Sequence, residues 1–125
     1  MAKILVVEDS TLMKVYLRRC LESHGYEVVD WTPLSAMEVP DKITSTAPDL
    51  VLTDYQMAGC NGATVARMIL KTNAKLPVIC LTASRDEDIT ANLNKVQVKR
   101  ILFKPVDAEA LAAAVKAVLE ETANG

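Results

Sequence analysis

Short apolar runs recur along the chain at 4–7 (ILVV), 50–53 (LVLT), 76–82 (LPVICLT) and 101–103 (ILF), with a weaker YEVVDW at 26–31. Each is rich in Val, Ile and Leu, as expected of strands covered on both faces in a parallel sheet, with buried helix pieces the alternative that length alone does not exclude. Between them the apolar positions fall at helical spacing: Met13, Leu17, Cys20 and Leu21; Ile89, Leu93 and Val96; Leu111, Val115, Val118 and Leu119. Ser10 is placed to cap the first helix and Asp107 the last, while Ser84 with Glu87 three residues on reads as a capping box. The pattern predicts strand and helix alternating five times, an α/β sandwich with right-handed crossovers and helices on both faces of a parallel sheet. The second helical segment is the least regular, punctuated by Pro33, Pro40 and Pro48. Pro40 lacks an N–H and collides with the preceding turn, which predicts a helix that is short or split near residues 38–40. One domain is expected over residues 1–121, with 122–125 a frayed C-terminal tail.

Composition agrees with that picture and narrows the function. Of 125 residues half are hydrophobic and 24% charged, which suits one compact domain with a real core. No window approaches the roughly 18 uninterrupted apolar residues of a membrane span, and the first residues lack a signal-peptide pattern. A cytoplasmic protein without membrane insertion is expected. Cys20, Cys60 and Cys80 are irregularly spaced and fit neither a disulfide framework nor a zinc site; Cys80, inside PVICL, reads as core packing. The formal charge is −2, with five basic and nine acidic residues in 1–62 against nine and seven in 63–125. Neither half is basic enough to suggest direct binding of nucleic acid.

Chemistry gathers just past the strands. In an open parallel α/β sheet, ligands bind outside the carboxyl ends of the strands. Glu8 and Asp9 follow the first strand, Asp54 the third and Lys104 the fifth, and Thr82 ends the fourth. Three carboxylates brought together repel one another, and either protonation or a divalent cation must relieve that repulsion, the cation being the expected answer. With oxygen ligands only, the hard ions fit best and Mg²⁺ above all. Lys104 and Thr82 would face an anionic partner of that ion, so the constellation reads as a phosphoryl site. Asp54 sits centrally, no Ser or Cys is paired with a base, and a carboxylate can attack phosphorus to give an acyl phosphate. Asp54 is therefore the expected phosphoacceptor. Singly, each residue has a plainer reading: Glu8, Asp9 and Ser10 as helix-capping groups, Asp54 as a turn residue, Thr82 as a strand-end hydroxyl, Lys104 as a solvated lysine. Their conjunction at four strand ends is what argues for a site.

These residues also carry a family resemblance. ILVVEDS with its acidic pair, VLTDYQM with the acceptor, LTAS with Thr82 and Ala83, and LFKP with Lys104 and Pro105 stand in one order and spacing. Across essentially the whole chain the sequence resembles a receiver domain of the response-regulator family, similar to the single-domain regulators of bacterial chemotaxis. The resemblance implies a flavodoxin-like (βα)5 doubly wound fold with a five-stranded sheet of order 2-1-3-4-5. It implies Mg²⁺, with Mn²⁺ able to substitute, held by Asp9, Asp54 and the backbone carbonyl of Gln56, and by Glu8 through water. Thr82, the backbone amide of Ala83 and Lys104 would hold the phosphoryl oxygens, and the Lys104–Pro105 peptide would be cis. Gln56 and Ser84 would tune dephosphorylation. The phosphoryl group would come from a sensor histidine kinase or a phosphotransfer protein. Phosphorylation would remodel the face of the fourth helix, fifth strand and fifth helix for a downstream protein target, a face that also serves the family for homodimers. The protein would be a signalling switch rather than an enzyme acting on outside substrates.

Three positions depart from the family pattern. Ile101 stands where an aromatic switch residue is usual, so Thr82 and Ile101 would have to couple through aliphatic packing or couple weakly. Ala58 replaces the usual proline after the acceptor, and VQVK replaces the small-residue turn before the last strand. Glu8 replaces the commoner Asp. Competing readings are a receiver used only as a scaffold, which Ile101 favours; a phosphatase with an aspartyl nucleophile, which wants Asp where Gln56 stands; and a flavin or nucleotide carrier, for which no GxGxxG or GxxxxGK is present. His24 at the end of the first helix reads as a surface residue facing the helix dipole. Trp31 is expected to be partly buried and Tyr55 to line the mouth of the site, while Lys95, Lys99 and Arg100 form a small basic cluster that reads as solvated charge, with docking of a partner the alternative.

Overall fold

The structure, a computed structural model, describes residues 1–124. Five parallel strands, β1 (Lys3–Val7), β2 (Glu27–Trp31), β3 (Leu50–Asp54), β4 (Val78–Thr82) and β5 (Arg100–Phe103), lie in the order β2-β1-β3-β4-β5. Helices α1 (Thr11–Ser23), α2 (Val39–Thr46), α3 (Gly62–Thr72), α4 (Glu87–Lys95) and α5 (Ala108–Asn124) fill the connections. This is the flavodoxin-like order that the sequence led us to expect.

Alternation along the strands divides the core into two layers. Leu5, Val7, Val51, Val78 and Cys80 face α2, α3 and α4, meeting Val39, Ile43, Ala66, Ile69 and Leu93. Ile4, Val6, Leu50, Leu52, Ile79 and Leu81 face α1 and α5, meeting Leu17, Leu21, Leu111, Val115 and Val118. Both faces of β3 and β4 are covered and all ten of their residues are buried, which is why these strands read as unbroken apolar runs.

Local signals explain the element boundaries. Ser10 caps α1, its hydroxyl accepting from the Met13 amide at 3.3 Å. Asp107 caps α5, its carboxylate accepting from the Ala110 amide at 2.7 Å. Pro40 falls in the first turn of α2, where no N–H is needed, and a separate 3₁₀ turn at Ala36–Glu38 precedes that helix. The chain is therefore split where the proline predicts.

One expectation is corrected. Ser84 and Glu87 do not form a capping box. Asp86 is the cap of α4, accepting from the Asp88 amide at 2.8 Å, and Ser84 Oγ accepts instead from the Asp86 amide at 3.1 Å. The reason lies one step back: the Ser84 amide is drawn to Thr82 Oγ1 at 3.1 Å, which holds this segment as a loop and delays the helix. The real capping box is Ser35 with Glu38, at the 3₁₀ turn. At the other end, α5 continues through 122–124, residues assigned above to a frayed tail, and Thr122 donates to the Val118 carbonyl at 2.9 Å. Gly125 lies outside the described residues.

Candidate phosphoryl and metal site

The parallel arrangement sends the carboxyl ends of all five strands to one edge. Between β1 and β3 the order reverses, since the chain leaves β1 on one side for β2 and returns on the other as β3. Glu8 and Asp9 follow β1 and Asp54 ends β3, so the carboxylates flank the crevice that this reversal opens.

Glu8 and Asp54 are buried and Asp9 is exposed. Oxygen atoms of the three carboxylates all lie within 4.8 Å of one another. Lys104, following β5, reaches across: its Nζ lies 2.8 Å from Asp54 Oδ1 and 3.7 Å from Glu8 Oε1. The Tyr55 amide also donates to Asp54 Oδ1, at 2.9 Å. Asp54 Oδ1 thus has two donors, whereas Oδ2 has none among the described residues. Glu8 Oε2 takes the amides of Asp9 and Ser10 at 3.0 and 3.4 Å. Glu8 Oε1 is buried with no hydrogen-bond partner among the described residues.

That orphaned oxygen bears on the chemistry, because a buried charge needs a partner and Lys104 at 3.7 Å is a long one. Burial first, and the charge of Asp54 second, push the Glu8 carboxyl up to about 7, with Lys104 opposing them. An all-oxygen donor set holding an underused buried carboxylate fits a hard divalent cation, and Glu8, Asp9 and Asp54 are the residues able to hold it.

The other expected residues stand around this centre. Thr82 is buried at the end of β4; its Oγ1 accepts from the Ser84 amide, and its own hydrogen has no acceptor among the described residues. The Lys104 amide donates to the Thr82 carbonyl at 2.9 Å, tying the ends of β4 and β5 together. Ala83 is exposed at the rim beside them. Gln56 pairs with Asn61 in a short antiparallel bridge that closes the loop after β3. The Lys104–Pro105 peptide is cis. Ile101 is not at the site: it pairs with Cys80 and packs, half-buried, on the α3 and α4 side of the sheet.

Several groups outside this centre behave as plain structure. His24 is exposed at the far end of α1, its Nδ1 2.9 Å from the Cys20 carbonyl. Trp31 and Tyr55 are half-buried against the core. Arg100 pairs with Glu121 at the edge opposite the site. Burial pushes the Cys80 thiol up to about 12, which leaves it inert.

Reading the sequence missed the backbone that holds the site. The Ala58 amide donates to Asp9 Oδ2 at 3.0 Å, and the Gly62 amide to the Tyr55 carbonyl at 2.7 Å. A Cβ on Gly62 would lie 2.8 Å from the Asp54 carbonyl oxygen. That close approach is the one such contact whose residue type, glycine, left a trace in the sequence.

Comparison with known proteins follows the same lines. A family model described as the response regulator receiver domain matches residues 4–116. The protein PilH of Pseudomonas aeruginosa is 35% identical over 128 residues, covering 95% of this chain and 98% of its own. The chemotaxis protein CheY of Treponema pallidum is 28% identical, covering 94% of this chain and 83% of its own. The chain spans only part of other relatives: 53% of the phosphate regulon regulator PhoB of P. aeruginosa and 12% of the sensor histidine kinase TmoS of Ectopseudomonas mendocina. Among solved structures, a CheY-like receiver domain protein from Methanospirillum hungatei superposes with a TM-score of 0.91 at 23% identity, over 99% of this chain and 98% of its own. A receiver domain protein from Clostridium thermocellum does so with a TM-score of 0.85 at 31% identity, over 97% and 96%.

Proposed function

This chain belongs to the response-regulator receiver domain family, and from that premise we propose that it is a phosphorylation-driven switch in which Asp54 takes a phosphoryl group from a phosphohistidine of a sensor histidine kinase or phosphotransfer protein. The observation that carries the reading is the environment of Asp54. Its Oδ1 is held by Lys104 and the Tyr55 amide at 2.8 and 2.9 Å, its Oδ2 has no hydrogen bond among the described residues, and two further carboxylates lie beside it.

On this reading Oδ2 is the attacking oxygen. Lys104 orients the carboxylate and then meets charge on the phosphoryl oxygens, helped by the Thr82 hydroxyl and the Ala83 amide, so that catalysis is mostly positioning and electrostatics. Glu8, Asp9, Asp54 and the Gln56 carbonyl are the ligands assigned to Mg²⁺, which when bound supplies positive charge against the transferring group. Gln56 and Ser84, on the two rim loops, govern the access of water to the acyl phosphate. Thr82 is the residue of β4 that responds to occupancy. Because Ile101 is aliphatic and packs towards α4, the response passes to the face of α4, β5 and α5 through side-chain packing, and that face binds the downstream target. Leu12, Val15 and Tyr16 are exposed on α1 and support docking of a phosphodonor protein there.

The test is incubation with acetyl phosphate and Mg²⁺ followed by intact mass. The expected result is uptake of one phosphoryl group, lost in Asp54→Asn. A chain that stays unmodified favours the scaffold reading, and sustained phosphate release from unrelated phosphoesters favours the phosphatase.

A further inference from the structure

Arg85 occupies a place that the site as described does not use. It stands three residues beyond Thr82, exposed on the loop between β4 and α4. Its guanidinium carbon lies 4.2 Å over the centre of the Phe103 ring, well within the roughly 6 Å over which an aromatic face attracts a cation. Phe103 closes β5: it pairs with Thr82 across the β4–β5 ladder and immediately precedes Lys104. The ring is therefore a shelf at the end of β5, beside Thr82, which ends β4, and Lys104, which follows β5. The loop is fixed on either side of Arg85, by the Ser84 amide on Thr82 Oγ1 and the Asp86 amide on Ser84 Oγ, both at 3.1 Å.

The charge on this shelf is uncommitted. Arg18 pairs with Glu22 and Asp30, and Arg100 with Glu121, whereas among the described residues no carboxylate oxygen lies within 4.0 Å of the Arg85 guanidinium. The acidic residues that follow it serve α4: Asp86 caps the helix, and Glu87 and Asp88 fill its first turn, where the helix dipole favours them. A guanidinium seated over an aromatic ring keeps its N–H donors at the edge of its own plane, and that planar fork matches a carboxylate.

We infer that Arg85 is a donor-binding residue of the phosphoryl-transfer reaction, held by Phe103 to grip the carboxylate end of an acyl-phosphate donor, an inference that rests on Asp54 being the acceptor. In that transfer an oxygen of Asp54 forms the new O–P bond and the bond between phosphorus and the acyl oxygen breaks. The bonding pair leaves with the carboxylate product, and no proton is exchanged. Negative charge grows on that leaving carboxylate along the reaction, so Arg85 stabilises it more in the transition state than in the donor. Phosphoramidate, whose leaving group is an amine that takes up a proton, offers the fork no such partner. Among small-molecule donors Arg85 thus sets a preference for acyl phosphates over phosphoramidate, and Phe103 acts as its positioning residue.

The experiment compares phosphorylation rates with acetyl phosphate and with phosphoramidate, each with Mg²⁺, by intact mass on the whole chain and on Arg85→Gln, Arg85→Lys and Phe103→Leu. The readout is the ratio of the two rates in one preparation, which the fraction of folded protein does not alter. Arg85→Gln is expected to lower the acetyl phosphate to phosphoramidate ratio about threefold to fivefold, the scale of one solvent-exposed charged contact. Phe103→Leu should lower it in the same direction although Arg85 is retained, and Arg85→Lys should fall between. An unchanged ratio in Arg85→Gln, or a parental ratio in Phe103→Leu, overturns this inference alone. A parent chain that takes up no phosphoryl group from either donor overturns the acceptor reading and this inference with it.

Discussion

Glu8 gives the acidic cluster a quantitative test. Its carboxyl is 1% exposed, one of its oxygens has no hydrogen bond, and its protonation is pushed from an ordinary 4.5 up to about 7. Because the folded value lies above the unfolded one, the folded chain keeps a proton in this window that the unfolded chain has released. The stability this group contributes is therefore fully present below about 4.5 and is lost as the pH rises through about 7. At about 1.4 kcal/mol for each pH unit the loss is on the order of 3 kcal/mol, a large share of the roughly 5–15 kcal/mol that holds a domain folded. Glu8→Gln keeps the shape of the side chain and removes its charge. In metal-free protein the variant should be more stable than the parent by about 2–3 kcal/mol at about pH 8, and the two should converge at about pH 5. Mg²⁺ at ten times its Kd should return about 1.4 kcal/mol to the parent and less to the variant, which lacks one of the three carboxylates. Urea unfolding followed by the fluorescence of Trp31, half-buried at the end of β2, measures each of these across a pH series in EDTA and then in Mg²⁺. Parallel pH profiles for parent and variant in EDTA would refute the reasoning, since burial of Glu8 would then carry no proton-linked cost.

Lys104→Met removes the ammonium 2.8 Å from Asp54 Oδ1; time courses with acetyl phosphate should slow by on the order of 10²-fold, the effect of losing a preorganised charge donor. Mg²⁺ titration of the same variant should show binding at least as tight, because a competing cation has left the cluster. Gln97 sits at φ +64, before β5, in a conformation that favours glycine. Gln97→Gly should accordingly raise stability by about 0.5–1 kcal/mol in urea unfolding, the strain relieved outweighing the added freedom of the unfolded chain. Gly62→Ala would place a methyl 2.8 Å from the Asp54 carbonyl oxygen and 3.0 Å from Cys80 Sγ. Neither buried neighbour can retreat freely, so a loss of about 1–3 kcal/mol is expected in thermal melts, accompanied by slower phosphorylation as the end of β3 shifts.

How much of this was legible depended on whether a feature leaves a mark in residue type. The strands could be read because β3 and β4 are covered on both sides, which leaves short unbroken runs of Val, Ile and Leu whose shortness and β-branched content favour strands over buried helix. Pro40 announced the break before α2. The capping box at Ser84 was misread because a pattern of Ser and Glu at the right spacing says nothing of where the Ser84 amide is already bound, and Thr82 had claimed it. The box that does exist, Ser35 with Glu38, has the same spacing and was available to the same reasoning. Glu8, Asp9, Asp54 and Lys104 could be found from the strand-end rule, since a parallel sheet leaves its chemistry only one edge to occupy. The amides of Tyr55 and Ala58 could not, because a backbone N–H carries no signature of the residue it belongs to. Nor could the stack of Arg85 on Phe103, a tertiary pairing between residues whose separation in sequence matches no local period.

The site also breaks the rule that organises the rest of the molecule. Elsewhere the buried side chains are apolar apart from the hydroxyls of Thr46 and Thr53, yet at this edge three carboxylates and one ammonium converge, two of the carboxylates buried, so these side chains sum to a net negative charge and Glu8 is unstable as an anion. A divalent cation brings the local sum to zero. On the proposed reading a phosphoryl group on Asp54 then makes it negative again, at the strand end nearest Thr82. The donors left to meet that charge are the Thr82 hydroxyl, the Ala83 amide and Lys104, all of which end β4 or follow β4 and β5 and are linked by the bond from the Lys104 amide to the Thr82 carbonyl. On that reading charge placed at β3 pulls on β4 and β5, because Glu8 and Asp9 follow β1 on one side of β3 and the donors come from β4 and β5 on the other. On the proposed reading the direction of the switch follows from that asymmetry, whatever side chain stands at position 101.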